Sequence, residues 1–354
     1  MRVIKTISFA PMEGITGSTY RKVHREFFGG VDRYYTPFLA ANKNHKFKHR
    51  ETREFLPYDP CLVPQVLTGN AADFVWAAKT IAEAGYEEVN LNLGCPASTV
   101  VTKKKGAGLL ADTYALECFL DEIFSASGLP KISVKTRIGF DSPKEAEYLG
   151  ELYANYPFCE VVIHPRVRQD FYSGTPNLEA FTIMKDKLPC PVCYNGDIRT
   201  VADAINISKM FSDVQHIMIG RGLVADPALA EEIRVVLTDK PSGRDTNDDI
   251  NKENAEDCSA QKKIGKAADG KITDGLYTSH EVHRPDNRLM LEYVDTLWNE
   301  YIAIYSGERD VLFKMKELWF HMGSMYPEYS KQLDSIKKCR HAEEYKELVR
   351  QILS

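Results

Sequence analysis

No apolar run in this 354-residue sequence approaches the roughly 18 residues that a membrane-spanning helix needs. Its first residues, MRVIKTISFAPM, hold too short an apolar run for a secretory signal, and Pro11 interrupts it, so a cytoplasmic location is expected. The eight cysteines lack framework spacing, which in a chain of this length predicts reduced thiols rather than a disulfide scaffold. Cys190-Pro191-Val192-Cys193 falls on a predicted strand, where positions three apart point to opposite faces, and no second such pair exists. It therefore reads as neither a redox nor a zinc pair. His45 and His49 are four apart but stand among lysines, so they read as part of a basic patch, and no metal is expected. Net positive charge is also missing: the formal charge is −5. Any phosphate contact would fall to local clusters, Lys43–Arg53 and Lys103-Lys104-Lys105, which act over a Debye length of about 10 Å.

What the chain does contain is a regular alternation. Short β-branched or aromatic runs predict strands at Lys5–Ala10, Arg33–Phe38, Leu62–Leu67, Glu88–Leu93, Lys131–Thr136, Glu160–His164, Pro191–Tyr194 and His216–Gly220. Segments with helical periodicity, such as Ala71–Ala84 and Pro143–Tyr156, lie between most of them. Eight strand–helix units over residues 1–238 predict an α/β fold, a closed (β/α)8 TIM barrel. An open doubly wound sheet would carry a glycine fingerprint after its first strand, and Ala10-Pro11-Met12-Glu13-Gly14 is not one. Residues 239–286 turn polar and mixed in charge, the composition of a flexible linker that cannot bury enough apolar surface to order itself. Helical periodicity returns with Leu289, Leu291, Val294 and Leu297, then Val311, Met315, Leu318 and Trp319, predicting a small all-α helical domain over residues 287–354. Trp319, Phe320 and Tyr326 read as core of that bundle.

In a parallel barrel the C-terminal strand ends line the active site. Here those ends carry Met12, Gln65, Asn90 and Asn92, Cys95, Lys135 and Arg137, His164 and Arg166, Asn195 and Asp197, and Gly220-Arg221-Gly222. One such residue is usually structural; eight convergent strand ends point to a shared ligand site. Asn195-Gly196-Asp197 and Gly220-Arg221-Gly222 close the last two strands just before helix starts, where exposed N–H groups and glycine backbone favour a phosphate. Lys135 sits on a strand otherwise built for burial, so it needs a negative partner or must reach the barrel mouth. Gly94 and Pro96 flank Cys95 and should turn it over that mouth.

Read together, APMEG (10–14), QVLTG (65–69), EVNLNLGCP (88–96), KKKGAGLL (103–110), SVKTR (133–137), HPRVRQDFY (164–172), NGDI (195–198) and GRG (220–222) resemble the tRNA-dihydrouridine synthases, in order and spacing across the whole barrel. The helical C-terminal segment resembles that family's RNA-binding domain. The chain departs from the common pattern at Thr16-Gly17, Pro37 and Pro165 and in the 239–283 insertion. The resemblance implies FMN as cofactor, NADPH as reductant, tRNA as partner and a monomeric enzyme. It implies that Cys95 protonates uracil C5 as flavin N5 delivers hydride to C6. Pro11, Met12, Gln65, Asn92, Lys135, His164, Asn195, Gly196, Asp197, Gly220 and Arg221 would then hold the flavin, with Asn92 touching either flavin or base. Lys103, Lys104, Arg137, Arg166, Arg168 and Tyr172 would lie toward the RNA. Three other readings remain: an FMN barrel acting on a free pyrimidine, a synthase acting on ribosomal RNA, and an RNA-binding protein that kept the fold without flavin.

Overall fold

Pro37 and Pro64 shape the sheet at its second and third positions, because a proline has no N–H to give to a ladder. In the computed structural model, which describes residues 4–41, 44–238 and 284–354, each of those two positions is split into a pair of short strands. Ten strands result: β1 (Thr6–Phe9), β2 (Arg33–Tyr35), β3 (Leu39–Ala40), β4 (Leu62–Val63), β5 (Gln65–Leu67), β6 (Glu88–Leu93), β7 (Lys131–Gly139), β8 (Glu160–Val167), β9 (Val192–Tyr194) and β10 (His216–Ile219). All eight predicted strands are present, and those at 131 and 160 run three residues further than predicted.

The pairing is parallel throughout and closes. Thr6 pairs with His216 across β1 and β10, and Phe9 with Tyr34 across β1 and β2. The circuit is completed by two short ladders, Tyr34 with Leu62 below and Leu39 with Val66 above, which join the split second strand to the split third. Eight strand positions therefore form a (β/α)8 barrel, as predicted. Its interior holds Ala10, Tyr35, Val63, Val162, Cys193 and Met218, a layer of side chains separate from the larger core between strands and helices. Cys193 points into that interior while Cys190 is only half-buried, so the CxxC does not form a pair. Among the described residues six cysteines are free thiols, as expected, but Cys61 is disulfide-bonded, against the expectation of reduced thiols. No helix among the described residues is long and apolar enough to cross a membrane.

The predicted linker lies outside the described residues apart from 284–286. Beyond it come four helices, Asn287–Ile302, Glu308–Met322, Ser330–Lys338 and Ala342–Leu353. Asp286 starts the first by accepting a hydrogen bond from Leu289 N at 3.0 Å. This bundle is not separated from the barrel by solvent. Tyr293, fully buried, sets its ring edge-on against Tyr20, Phe27 and Phe28 of the first barrel helix and its end, with centroids 6.4, 5.7 and 5.1 Å away. One continuous apolar core therefore runs through both parts. Tyr293→Ala should cost about 3–5 kcal/mol. It should also lower a single cooperative unfolding transition in urea rather than create a second one; two separate transitions would mean that the parts unfold independently.

Candidate active site

The mouth of the barrel is a cavity of about 540 Å³ lined from every quarter of the sheet. Pro11, Met12, Gln65, Asn92, Cys95, Lys135, Arg137, His164, Tyr172, Asn195, Gly196, Asp197, Gly220 and Arg221, all predicted from sequence, converge there. Four predicted residues do not. Lys103 and Lys104 are exposed on the turn after the Ser98–Val101 helix, Arg166 is buried against Asp197, and Arg168 lies over the Phe140 and Phe171 rings.

Amides hold the cysteine loop. Asn92 Oδ1 accepts from the backbone N–H groups of Gly94 (3.1 Å) and Cys95 (3.0 Å), the turn that an Asn side chain makes with its own chain. Its Nδ2 donates to Gln65 Oε1 at 2.7 Å, Gln65 Nε2 to Asn90 Oδ1 at 2.8 Å, and Asn90 Nδ2 to Ser133 Oγ at 2.9 Å. This relay crosses β5, β6 and β7 and leaves the Asn92 oxygen committed to orienting Cys95. Burial raises the Cys95 thiol above its ordinary pKa of 9.0, opposed by the nearby Arg137, so it stays protonated at neutral pH.

Arginines clamp the loops. Arg137 is buried and donates to three carbonyls, Gly94 (2.8 Å), Val167 (2.9 Å) and Phe171 (2.8 Å), tying the cysteine loop to the segment after β8. Arg166, equally buried, donates to Ser173 and Gly174 carbonyls and forms an ion pair with Asp197 at 2.5 Å. Asp197 also accepts from Arg221 at 2.6 Å, and despite burial these guanidinium partners hold its carboxyl below the usual value. Arg166 thus spends its five donors on protein groups, and Arg137 gives three of its five to the cavity wall it lines, which makes both positioning residues for that wall. Arg221 lies over the Tyr172 ring, 5.0 Å from its centroid, and Tyr172 in turn stacks on His164 at 5.9 Å.

His164 and Lys135 are the groups aimed inward. Burial, with Lys135, Arg137 and Arg166 nearby, pushes His164 well below its usual pKa, so it is neutral. Its Nε2 faces Arg166 Nη1 at 3.1 Å and must accept, which leaves the proton on Nδ1. The Lys135 ammonium has neither hydrogen-bond nor ion-pair partner among the described residues; burial, then Arg137, lowers its pKa to about 8. Although some Lys135 surface faces the open cavity, protein packs round the ammonium closely enough for desolvation to dominate. An unpartnered cation facing a cavity is a site for an anion. The two predicted phosphate loops meet directly: a Cβ at Gly222 would lie 2.2 Å from the Ile198 carbonyl oxygen, so only glycine fits there.

Several lining residues escaped sequence reasoning: Glu13, Phe38, Arg199, Phe320 and His321. Glu13 sits inside a quoted motif but carried no signal of its own. Phe320 corrects an expectation. Trp319 and Tyr326 are bundle core, 3% and 1% exposed, whereas Phe320 is 73% exposed at the cavity mouth. The signal was available, because the periodicity of Val311, Met315, Leu318 and Met322 leaves position 320 off the buried face.

A closed parallel barrel with a polar, thiol-bearing cavity at its C-terminal face belongs to the enzyme-bearing (β/α)8 class. The family model described as "Dihydrouridine synthase (Dus)" matches residues 8–264. The chain belongs to the dihydrouridine synthase family. It is 30% identical over 236 residues to a "Probable tRNA-dihydrouridine synthase" of Rickettsia prowazekii (strain Madrid E), covering 65% of this chain and 71% of that protein. It is also 30% identical over 251 residues to a "tRNA-dihydrouridine(16) synthase" of Aquipseudomonas alcaligenes, covering 65% and 75%. Among solved structures, a morphinone reductase variant aligns with a TM-score of 0.48 at 8% identity over 66% of this chain and 88% of that one, a likeness too distant to argue from.

Proposed function

We propose that this chain is a cytoplasmic, monomeric oxidoreductase that reduces uridine to dihydrouridine in tRNA, with FMN at the barrel mouth and NADPH as reductant. The observation that carries the reading is a protonated thiol, Cys95, locked by Asn92 over the same cavity that holds the unpartnered Lys135 ammonium. Family membership and the relatives' names support it.

The residues fit FMN. Lys135 would meet the electron-rich edge of its ring system, and neutral His164 and Gln65 would donate to ring heteroatoms. Asn195, Gly196, Asp197, Gly220 and Arg221 would hold its tail and phosphate, with Pro11 and Met12 against the ring. When bound, FMN supplies the hydride. The chain's own contribution is the proton: reduction of the C5–C6 bond leaves C5 enolate-like, conjugated to the uracil C4 carbonyl, and Cys95 Sγ gives C5 its proton. A thiol held above its ordinary pKa retains that proton at neutral pH, as a general acid must. Tyr172, stacked on His164 and bracketed by Arg137 and Arg221, would meet a base extruded from its stack. Lys103, Lys104 and Arg168 would serve the RNA from the periphery. Residues 287–354 would act as the RNA-binding part beside the 1–238 barrel, with 239–286 as the linker.

The test is nucleoside mass spectrometry and position-resolved mapping of dihydrouridine on RNA from cells with and without the gene. Loss at one or a few tRNA positions is the expected result. Loss confined to ribosomal RNA would keep the chemistry and move the substrate. No loss in any RNA, with other synthases deleted, would overturn the reading in favour of a free-pyrimidine reductase.

A further inference from the structure

We infer that Phe320 is a nucleobase-stacking residue at the mouth of the active-site cavity, and that Phe313 extends this stacking face along the same helix for the RNA strand that delivers the uridine. The inference rests on the reading of the site as an RNA uridine reductase.

The helix Glu308–Met322 buries Val311, Leu312, Met315, Leu318, Trp319 and Met322. Phe313 and Phe320 stand off that face, 62% and 73% exposed. Seven residues separate them, two helical turns, so they share one face roughly 10 Å apart along the axis. A single exposed phenylalanine needs no explanation. Here two are aligned, and one lines the catalytic cavity.

The helix is fastened to the rim rather than merely near it. Lys314 Nζ donates to the Gly14 carbonyl at 2.6 Å, beside Glu13 of the cavity lining. At the other end Phe320 and His321 line the cavity itself, and the Arg221 guanidinium acts on His321, lowering its pKa after burial has done so. Arg221 is the same cation that covers the Tyr172 ring. Phe320 therefore stands at a rim that carries the exposed Arg199 and the half-buried Arg221, the latter paired with Asp197. On the outer face the exposed Arg309 lies one turn before Phe313, while Lys316 and Glu317 lie between the two rings in helical order and the Lys316 ammonium donates to the Cys339 carbonyl. Exposed rings flanked by Arg309 at one end and by Arg199 and Arg221 at the cavity mouth are what a single strand with a splayed-out base requires: rings for the bases and cations for the phosphates. A free pyrimidine enclosed in the cavity would leave Phe313 untouched. A second copy of this chain would need roughly 800 Å² per partner, far more than two rings divided by a lysine provide.

The experiment uses the full-length holoenzyme with tRNA from cells lacking the gene, comparing wild type with Phe320→Ala, Phe320→Trp and Phe313→Ala. Phe320→Ala is expected to raise KM and the RNA Kd roughly 5- to 100-fold. The loss should fall on KM rather than kcat, and FMN content should match wild type because the ring is exposed. Phe320→Trp should restore most of the affinity, and Phe313→Ala should give a smaller rise in the same direction. The slope of log Kd against log salt should stay unchanged, since stacking releases no counterions. Wild-type KM and Kd in Phe320→Ala, or a loss that Trp does not rescue, would overturn the inference while leaving the proposed function standing. A wild-type enzyme that forms no dihydrouridine on any RNA would instead remove the proposed function, and the inference with it.

Discussion

Cys95→Ala is expected to keep its FMN and its NADPH-driven flavin reduction while dihydrouridine formation falls by about 10²- to 10⁴-fold. The size follows from the role: general acid catalysis contributes that range, and neither of the two groups aimed inward beside the thiol is free to replace it. Lys135 carries a proton but is needed opposite the anionic edge, and neutral His164 holds its one proton on Nδ1 while Arg166 occupies Nε2. The pH dependence gives an independent check. A general acid works only while protonated, so activity is lost as pH rises through its pKa. Burial puts the Cys95 pKa above 9.0, so the single-turnover rate with saturating FMN should have no alkaline limb from this group below about pH 9. Stopped-flow reduction by NADPH and mass spectrometry of the RNA separate the two half-reactions. Loss of flavin from Cys95→Ala would show instead that the thiol serves the cofactor, and would end its assignment as the acid.

Lys135→Met is expected to weaken FMN binding by at least 10-fold at pH 7 and to abolish its pH dependence above pH 8. Without a ligand, burial lowers the ammonium pKa from 10.5 to about 8. An anionic partner favours the charged form and raises that pKa again, so binding takes up a proton wherever the free site has lost one. Wild-type affinity is therefore greatest below about pH 8 and falls by up to tenfold per pH unit above it. Methionine carries no proton and leaves the affinity flat over the same range. The sign is opposite for folding of the unliganded chain. The lowered lysine costs stability below pH 8, and that cost is relieved as pH rises from 8 toward 10.5. Fluorescence titration of FMN and urea melts at pH 7 and pH 9 read the two effects. Equal pH slopes in wild type and variant would remove Lys135 from the cofactor site.

Much of the site was legible in the sequence because a parallel barrel converts strand order into geometry. Once eight strands are recognised, their C-terminal ends must share one mouth, and Gln65, Asn92, Cys95, Lys135, His164, Asn195 and Gly220 follow without distances. Direction along the chain was harder to read. Arg137 and Arg166 belong to the right strand ends, but Arg137, which lines the cavity, gives a hydrogen bond from each guanidinium nitrogen to a carbonyl, and Arg166 turns to carbonyls and to Asp197. Sequence reveals that a cation stands at a strand end; the hydrogen-bond acceptors around it decide whether it faces a ligand or its own chain. Lys103 and Lys104, assigned to the RNA and not to the flavin, stand exposed outside the cavity, because the chain leaves the cysteine loop within one short helix.

The periodic alternation, the two strand-splitting prolines and the Gly-Cys-Pro turn belong to the sequence alone, since they follow from local backbone chemistry and from a side-chain period of two or 3.6 residues. Tertiary packing decided the rest. Long-range burial set the protonation of Cys95, His164 and Lys135, because desolvation depends on what surrounds a group and not on its neighbours in the chain. Packing of Tyr293 against the first barrel helix carried the last four helices onto the barrel. Only that docking brings Phe320, 225 positions after Cys95, to the same cavity.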